Sequence, residues 1–101
     1  MGEGVVICAS ATVSTNVRIG AFSTINPNAT VGHDATLGAF VSINPGAVVS
    51  GEVTLGEGTL VGAGAVVLEN LVVGAACVIG ASACVTRNVP DGRTVKGVPA
   101  R

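Results

Sequence analysis

The sequence predicts an all-β solenoid in which one chain winds into nearly five triangular coils made of six-residue repeats. Three observations lead to this prediction. An aliphatic residue recurs at every sixth position without a break, an uncharged residue stands two positions before each of them, and glycine or asparagine often follows directly. Regular internal periods are typical of repeat architectures, in which each unit packs only on its neighbours.

The six-residue period places one aliphatic side chain in the interior of each repeat. Together with the uncharged residue two positions earlier, it forms the alternation that indicates a short strand with one buried face. The aliphatic positions are Ile7, Val13, Ile19, Ile25, Val31, Leu37, Ile43, Val49, Leu55, Val61, Val67, Val73, Ile79 and Val85. The next step falls on Asp91, so we expect the solenoid to cover residues 5–90 and residues 91–101 to form a short tail.

Sharp corners are expected between the strands. Glycine follows the aliphatic residue in seven repeats, and asparagine follows it twice, as Asn26 and Asn44. Because these two residue types tolerate a positive φ, we expect the chain to turn at these positions.

Three repeats are expected to close one coil. Residues 19–31 match eight of thirteen residues when shifted by eighteen positions, but only four when shifted by six and two when shifted by twelve. This register stacks Phe22 on Phe40 in neighbouring coils. Each coil then completes the hydrogen bonds and the core of the next, so the chain is one cooperative unit.

The composition first suggests a membrane protein, with 49% hydrophobic residues and a mean hydropathy of +0.70. Its longest runs without a polar residue, such as residues 71–81, are nevertheless far shorter than the roughly 20 residues that span a bilayer. The three cysteines are odd in number and lack metal-ligand spacing, which favours neither a disulfide framework nor a metal site. We therefore expect a cytoplasmic protein without membrane association.

The charges are segregated along the chain. Residues 1–86 contain five acidic residues and one arginine, whereas residues 87–101 contain four basic residues and one acid. Four basic side chains without aromatic partners make a poor nucleic-acid footprint. We therefore expect no nucleic-acid partner, and any anion that the basic end attracts should be small.

The tandem [ILV]-G-x-x-[small]-x pattern resembles the hexapeptide-repeat acyltransferases over essentially the whole chain. The resemblance implies a single-stranded left-handed parallel β-helix, although parallel crossovers in general favour the right hand. The His-Asp pair in VGHDATLGAFVSINPGA is similar to the branch that contains sialic acid O-acetyltransferases and UDP-amino-sugar N-acetyltransferases. Members of that branch carry an N-terminal domain that holds the nucleotide sugar, which we expect to be missing here because the repeats begin next to Met1.

The only histidine, His33, falls in a predicted corner, where its imidazole should point into solvent. Asp34 is placed to accept a hydrogen bond from one ring nitrogen, which would fix the tautomer and make the other nitrogen more basic. One coil later, Gly51 leaves space beside the ring and offers a backbone N–H to a developing oxyanion. The alternative is an exposed turn histidine without a role.

The resemblance assigns these residues to acetyl transfer. It implies that His33 acts as general base with Asp34 tuning it, and that acetyl-CoA lies in a groove between adjacent subunits of a homotrimer. It also implies that the acceptor is an amine or hydroxyl of a sugar or nucleotide sugar and that no metal takes part. The pantetheine arm is expected along Ser42, Ala63 and Ala81, although corner packing alone would also explain the two alanines.

The C-terminal residues 95–101 match the family's terminal G-x-P-A signature. A tail folded back over the last coil would bring Lys96 and Arg101 towards the phosphates of coenzyme A. A solvated basic tail without a ligand is the alternative.

Apolar side chains are expected in outward columns, one containing Val48, Val66 and Cys84 and another containing Leu60 and Val78. Such columns on a solenoid indicate a partner surface, which supports the homotrimer.

Three other functions compete with acetyl transfer. A zinc enzyme of the γ-carbonic anhydrase kind needs more histidines than one per chain, and an ice-binding surface needs a regular threonine ladder that the outward columns lack. A trimerising or scaffold module without activity, excised or engineered, remains the serious alternative. The sequence names no acceptor and does not decide between N- and O-acetylation.

Overall fold

The computed structural model describes all residues from 1 to 101 and contains fifteen short strands and no helix. Each of the first fourteen strands is a pair of residues that ends on one of the predicted aliphatic positions. The strands are β1 (Val6–Ile7), β2 (Thr12–Val13), β3 (Arg18–Ile19), β4 (Thr24–Ile25), β5 (Thr30–Val31), β6 (Thr36–Leu37), β7 (Ser42–Ile43), β8 (Val48–Val49), β9 (Thr54–Leu55), β10 (Leu60–Val61), β11 (Val66–Val67), β12 (Val72–Val73), β13 (Val78–Ile79), β14 (Cys84–Val85) and β15 (Thr94–Val95).

The strands form three parallel sheets, which are the faces of a left-handed β-helix of about five turns. Sheet A contains β1, β4, β7, β10, β13 and β15, sheet B contains β2, β5, β8, β11 and β14, and sheet C contains β3, β6, β9 and β12. Residues eighteen positions apart pair, as in Ile25 with Ile43. The predicted fold class and coil length are thus confirmed.

The chain turns at three edges, which we name by the sheets they join. The AB edge follows each strand of sheet A, the BC edge follows each strand of sheet B, and the CA edge follows each strand of sheet C. The phenyl rings of Phe22 and Phe40 stack at the CA edge with their centroids 5.5 Å apart.

Aliphatic side chains fill the interior, where Ile25, Ile43 and Val61 have no exposed surface. The first coil forms an open end, because Ile7 is 41% exposed and has no coil beneath it. Two polar side chains are also buried, and both are hydrogen-bonded. The Ser23 hydroxyl donates to the Gly38 carbonyl, and the Thr59 hydroxyl donates to the Gly74 carbonyl. Burial of these hydroxyls therefore leaves no unpaired polar atom.

The glycines after the aliphatic residues have a different role from the predicted one. None of the seven has a positive φ. A β-carbon at Gly32 would lie 2.6 Å from the Gly51 nitrogen, and one at Gly38 would lie 2.7 Å from the Glu57 nitrogen. Glycine is therefore needed because the backbone of the next coil passes too close for a side chain.

The positive φ angles occur two residues further along, at the third position of the corner. They include His33's neighbour Asp34 at 57°, Phe40 at 58° and Glu52 at 61°. This conformation costs a non-glycine residue about 1–2 kcal/mol, and asparagine and aspartate bear it best. The corner prediction was right about the turn but wrong about the residue that carries it.

The C-terminal segment adds a fifteenth strand within the predicted tail. Thr94 pairs with Val78, so this coil has sixteen residues where the others have eighteen. The coil is already shortened at Val89, which pairs with Val73, and just before it the side chain of Asn88 accepts a hydrogen bond of 2.9 Å from the Val72 nitrogen. The last residues then run over β14, because the Cys84 nitrogen donates to Gly97 O at 3.0 Å.

The predicted outward columns are present on the faces. Val66 pairs with both Val48 and Cys84 on sheet B, and Leu60 pairs with Val78 on sheet A. No helix in the structure has the length and hydropathy required to cross a bilayer.

Candidate active site at the solenoid edges

His33, Asp34 and Gly51 meet at the BC edge. The imidazole Nδ1 lies 3.0 Å from Asp34 Oδ2, and the two side chains are 51% and 46% exposed. The backbone of the pair is fixed to the adjacent coils, because His33 O accepts a hydrogen bond of 2.8 Å from the Glu52 nitrogen. Since Nδ1 faces the carboxylate, the Nε2 lone pair of a neutral His33 is left for a substrate proton.

The electrostatics of the pair favour a basic imidazole. The hydrogen bond to Asp34 raises the pKa of His33 above its usual 6.5, against a smaller opposing effect of desolvation. The charges of Asp34, Glu52 and Glu69 raise it further. The hydrogen bonds from His33 and Asn16 lower the pKa of Asp34 below its usual 3.8. At neutral pH the carboxylate is therefore ionised beside the ring.

Gly51 lies against the open side of the imidazole. A β-carbon at this position would stand 2.5 Å from His33 Nε2, so any side chain here would displace the ring. Gly51 O accepts a hydrogen bond from the Asn70 nitrogen at 3.0 Å, whereas the Gly51 N–H has no protein acceptor. Gly51 itself is buried, and its unpaired N–H is the kind of donor that an oxyanion requires.

Ala63 and Ala81 stack at the AB edge, one coil apart. Ala63 O accepts a hydrogen bond of 2.9 Å from the nitrogen of Ser82, and the N–H groups of the two alanines have no protein acceptor. Both residues are exposed. The structure thus shows a narrow track of small side chains and free amides that runs parallel to the solenoid axis.

Two basic residues of the tail, Lys96 and Arg101, lie at the end of this track. The β-carbon of Lys96 comes within 3.0 Å of a β-carbon built on Gly80, the residue before Ala81. Arg101 is joined to Lys96 by reciprocal backbone hydrogen bonds of 3.2 and 3.4 Å. The tail therefore places positive charge beside the alanine track.

Ser42 is not part of the track. It lies on the face of sheet A in β7, half-buried, and its hydroxyl donates to Asn44 Oδ1 at 3.2 Å. Its partners in the sheet are Thr24 and Leu60, so it stands beside the AB edge and not on it.

One chain does not bring the two groups of residues together. His33 is on the BC edge and Ala63 is on the AB edge, and the whole width of sheet B separates these edges. A single chain has no pocket on its surface, and no three metal-ligating side chains converge. Within one chain, the candidate base and the alanine track therefore lie on different sides of the molecule.

Sequence reasoning missed Asn16. Its Nδ2 donates a short hydrogen bond to Asp34 Oδ1, on the side of the carboxylate away from His33. The signal was available, because Asn16 stands eighteen residues before Asp34 and the same register had placed Gly51 over His33.

Solved structures of acetyltransferases share this fold. The acetyltransferase domain of PglB from Neisseria gonorrhoeae, in complex with acetyl coenzyme A, is 35% identical, with a TM-score of 0.81 over 97% of this chain and 57% of its own. WeeI from Acinetobacter baumannii is 31% identical, with a TM-score of 0.91 over 97% of this chain and 54% of its own.

A third structure contains CoA together with a nucleotide sugar. It is a histidine-to-asparagine variant of perosamine N-acetyltransferase from Caulobacter crescentus in complex with CoA and GDP-perosamine, 32% identical, with a TM-score of 0.78 over 97% of this chain and 56% of its own. The chain thus spans somewhat more than half the length of these proteins. No curated protein sequence matches the chain significantly.

The family model described as bacterial transferase hexapeptide, with six repeats, matches residues 16–51 and 34–69, which together make up more than half of the chain. The matched region includes His33, Asp34 and Gly51. The repeat, the stacked coils and this match show that the chain belongs to the bacterial transferase hexapeptide-repeat family.

Proposed function

We propose that the protein is an acetyltransferase that uses acetyl-CoA to acetylate an amine or hydroxyl of a sugar or nucleotide sugar. The observation that carries the proposal is the oriented pair of His33 and Asp34 beside the free Gly51 amide. The complexes of similar proteins with acetyl coenzyme A and with GDP-perosamine support the two substrate classes.

In this mechanism His33 Nε2 removes the proton from the acceptor as its nitrogen or oxygen attacks the thioester carbonyl carbon. The carbonyl π electrons move onto oxygen, and the Gly51 N–H donates a hydrogen bond to the oxyanion. When the tetrahedral intermediate collapses, the C–S bond breaks and the imidazolium returns its proton to the leaving thiolate. The products are the acetylated acceptor and CoA, and no acyl-enzyme forms.

The AB edge fits the linear arm of coenzyme A. The small side chains of Ala63 and Ala81 leave room for an extended chain, and their free N–H groups match its amide carbonyls. Lys96 and Arg101 stand at the end of the track, where they would pair with phosphates. Ser42, beside this edge, is the least supported of the proposed contacts, since its hydroxyl is engaged by Asn44.

A homotrimer would unite the base and the track. When sheet B of three chains faces a common threefold axis, the BC edge of each chain lies next to the AB edge of the following one, which is a closed heterologous interface. The outward residues of sheet B are uncharged, as such an interface requires: Thr12, Thr30, Val48, Val66 and Cys84. The three free cysteines agree with a cytoplasmic location.

The second candidate is a trimerising or scaffold module without activity. The uncharged outward face of sheet B favours association of chains whether or not His33 acts. This candidate needs the interface of sheet B but makes no use of His33.

The test is the release of CoA from acetyl-CoA by the purified protein with a panel of amino-sugar and sugar nucleotides. We expect release to depend on one class of acceptor and to be abolished without it. If trimers bind CoA but release no CoA from acetyl-CoA with any acceptor, the proposed activity is wrong and the scaffold module is the remaining candidate.

Substitution of Asp34 by asparagine should change the pH dependence of acetyl transfer. Only neutral His33 is a base, so kcat/KM falls as the pH drops through the His33 pKa, which Asp34 holds above 6.5. Asp34→Asn removes the largest cause of this elevation, and the acidic limb of the profile should move to lower pH. The plateau should also fall by on the order of tenfold, because the asparagine no longer selects the reactive tautomer. A profile with an unchanged limb would show that Asp34 does not act on His33.

A further inference from the structure

Asp34 is held from both sides. Its Oδ2 lies 3.0 Å from His33 Nδ1, and its Oδ1 accepts the hydrogen bond from Asn16 Nδ2. Each carboxylate oxygen therefore has one assigned partner, and the order of contacts is Asn16, Asp34, His33. Asn16 itself is too far along this chain of contacts to be a catalytic residue.

The His33–Asp34 contact alone would be weakly held. The two residues are sequence neighbours, and about half of each side chain is open to solvent. Exposed pairs of this kind contribute little, because water competes for both partners and the side chains lose entropy when they are fixed. The hydrogen bond on Oδ1 is exposed as well, but a carboxylate with a partner on each oxygen must break both contacts before it rotates away from the ring.

The backbone builds this second hydrogen bond into the fold. Asn16 and Asp34 occupy the same corner position in successive coils, with φ angles of 58° and 57°. The Asp34 nitrogen donates to the Thr15 carbonyl at 3.1 Å, which fixes the separation of the two corners. Asparagine combines tolerance of this φ with a short amide donor, so it suits the position on both counts.

We propose that Asn16 is a positioning residue, which fixes the carboxylate of Asp34 so that neutral His33 carries its proton on Nδ1 and presents Nε2 as the base. The consequence of Asn16 for catalysis rests on the proposed function, whereas its effect on the His33 tautomer does not. The hydrogen bond from Asn16 also lowers the pKa of Asp34, which agrees with a contact to the ionised carboxylate.

The test reads the tautomer of His33 directly. Because His33 is the only histidine, protein labelled with ¹⁵N-histidine gives one pair of ring-nitrogen resonances, whose positions report the ratio of the two neutral forms. The Nδ1–H form should dominate in the wild type at a pH above the His33 pKa. Asn16→Gly removes the amide and tolerates the positive φ, and we expect it to lower the ratio of Nδ1–H to Nε2–H at least about threefold.

Asn70→Gly is the matched control. Asn70 lies at the same edge with a φ of 61°, is exposed, and makes no side-chain hydrogen bond. It should leave the ratio unchanged. A second variant, Asn16→Asp, keeps the size of the side chain but replaces the donor with a carboxylate, and should shift the ratio in the same direction as Asn16→Gly.

An unchanged tautomer ratio in folded Asn16→Gly and Asn16→Asp would overturn the inference. If the ratio shifts and the wild type acetylates an acceptor, kcat of Asn16→Gly should fall while KM for acetyl-CoA stays constant, and a constant kcat would overturn the catalytic consequence. If the ratio shifts and the wild type acetylates nothing in the panel, the positioning role stands and the proposed function fails. The two claims are thus tested separately.

Discussion

His33→Ala should lose acetyl transfer by about 10²- to 10⁴-fold, the range that a general base supplies. The loss should appear in kcat, because the structure places the imidazole away from the alanine track at the AB edge. Binding of CoA, measured by calorimetry, should be unchanged. The side chain is half exposed, so its removal leaves no cavity in the core and the melting temperature should stay close to that of the wild type.

Added imidazole provides the control for this variant. The space left beside Gly51 should admit a free imidazole, which would restore part of the activity of His33→Ala and add nothing to the wild type. A variant as active as the wild type would remove His33 from the mechanism. Loss of CoA binding in parallel with activity would assign the histidine to substrate binding instead.

Gly56→Ala should destabilise the solenoid by about 3 kcal/mol, since the new methyl group is forced against backbone. A β-carbon there would lie 2.5 Å from Gly74 C and 2.7 Å from Ala75 Cα, and neither atom belongs to a flexible side chain. The coils would have to separate at the CA edge, where Gly56 N donates to Val73 O at 2.8 Å. For a domain of this size the melting temperature should fall by about 12 °C or more.

Gly58→Ala is the matched control in the same corner. Gly58 has a φ of 74°, and a β-carbon would find nothing within 4 Å. Only the cost of a left-handed residue applies, about 1–2 kcal/mol. Equal melting temperatures for the two variants, measured at equal protein concentration, would contradict the view that close approach of the coils explains the first glycine of each corner.

The strands and their pairing could be predicted because one interior residue is repeated at a constant interval. The role of the corner glycines could not, because the pattern gives their position but not the backbone that approaches them from the next coil. The strand at Thr94–Val95 was also missed, since its coil is shortened and leaves the six-residue period. There the side chain of Asn88 accepts the hydrogen bond from the Val72 nitrogen, which a backbone carbonyl accepts at the equivalent Thr36 and Thr54 nitrogens.

The sequence could predict only those site contacts that follow from the stacking of residues eighteen positions apart. The eighteen-residue register brings Gly51 to His33, and the structure places them in contact. The same register applied in the other direction leads to Asn16. To predict that His33 and Ala63 lie on two different edges, each strand must first be assigned to a sheet. The composition of the repeats does not reveal this assignment.

The central claim is that the base of one chain works with the track of the next. It is tested most directly by mixing two inactive variants, His33→Ala and Ala63→Phe, with different affinity tags so that mixed trimers can be purified. A site that takes His33 from one chain and Ala63 from its neighbour is intact at one of the three interfaces of every mixed trimer, so about a third of the wild-type activity should return in the purified mixed trimers. Trimers in which every chain carries both substitutions should stay inactive. Mixed trimers no more active than the two parent proteins would contradict the claim.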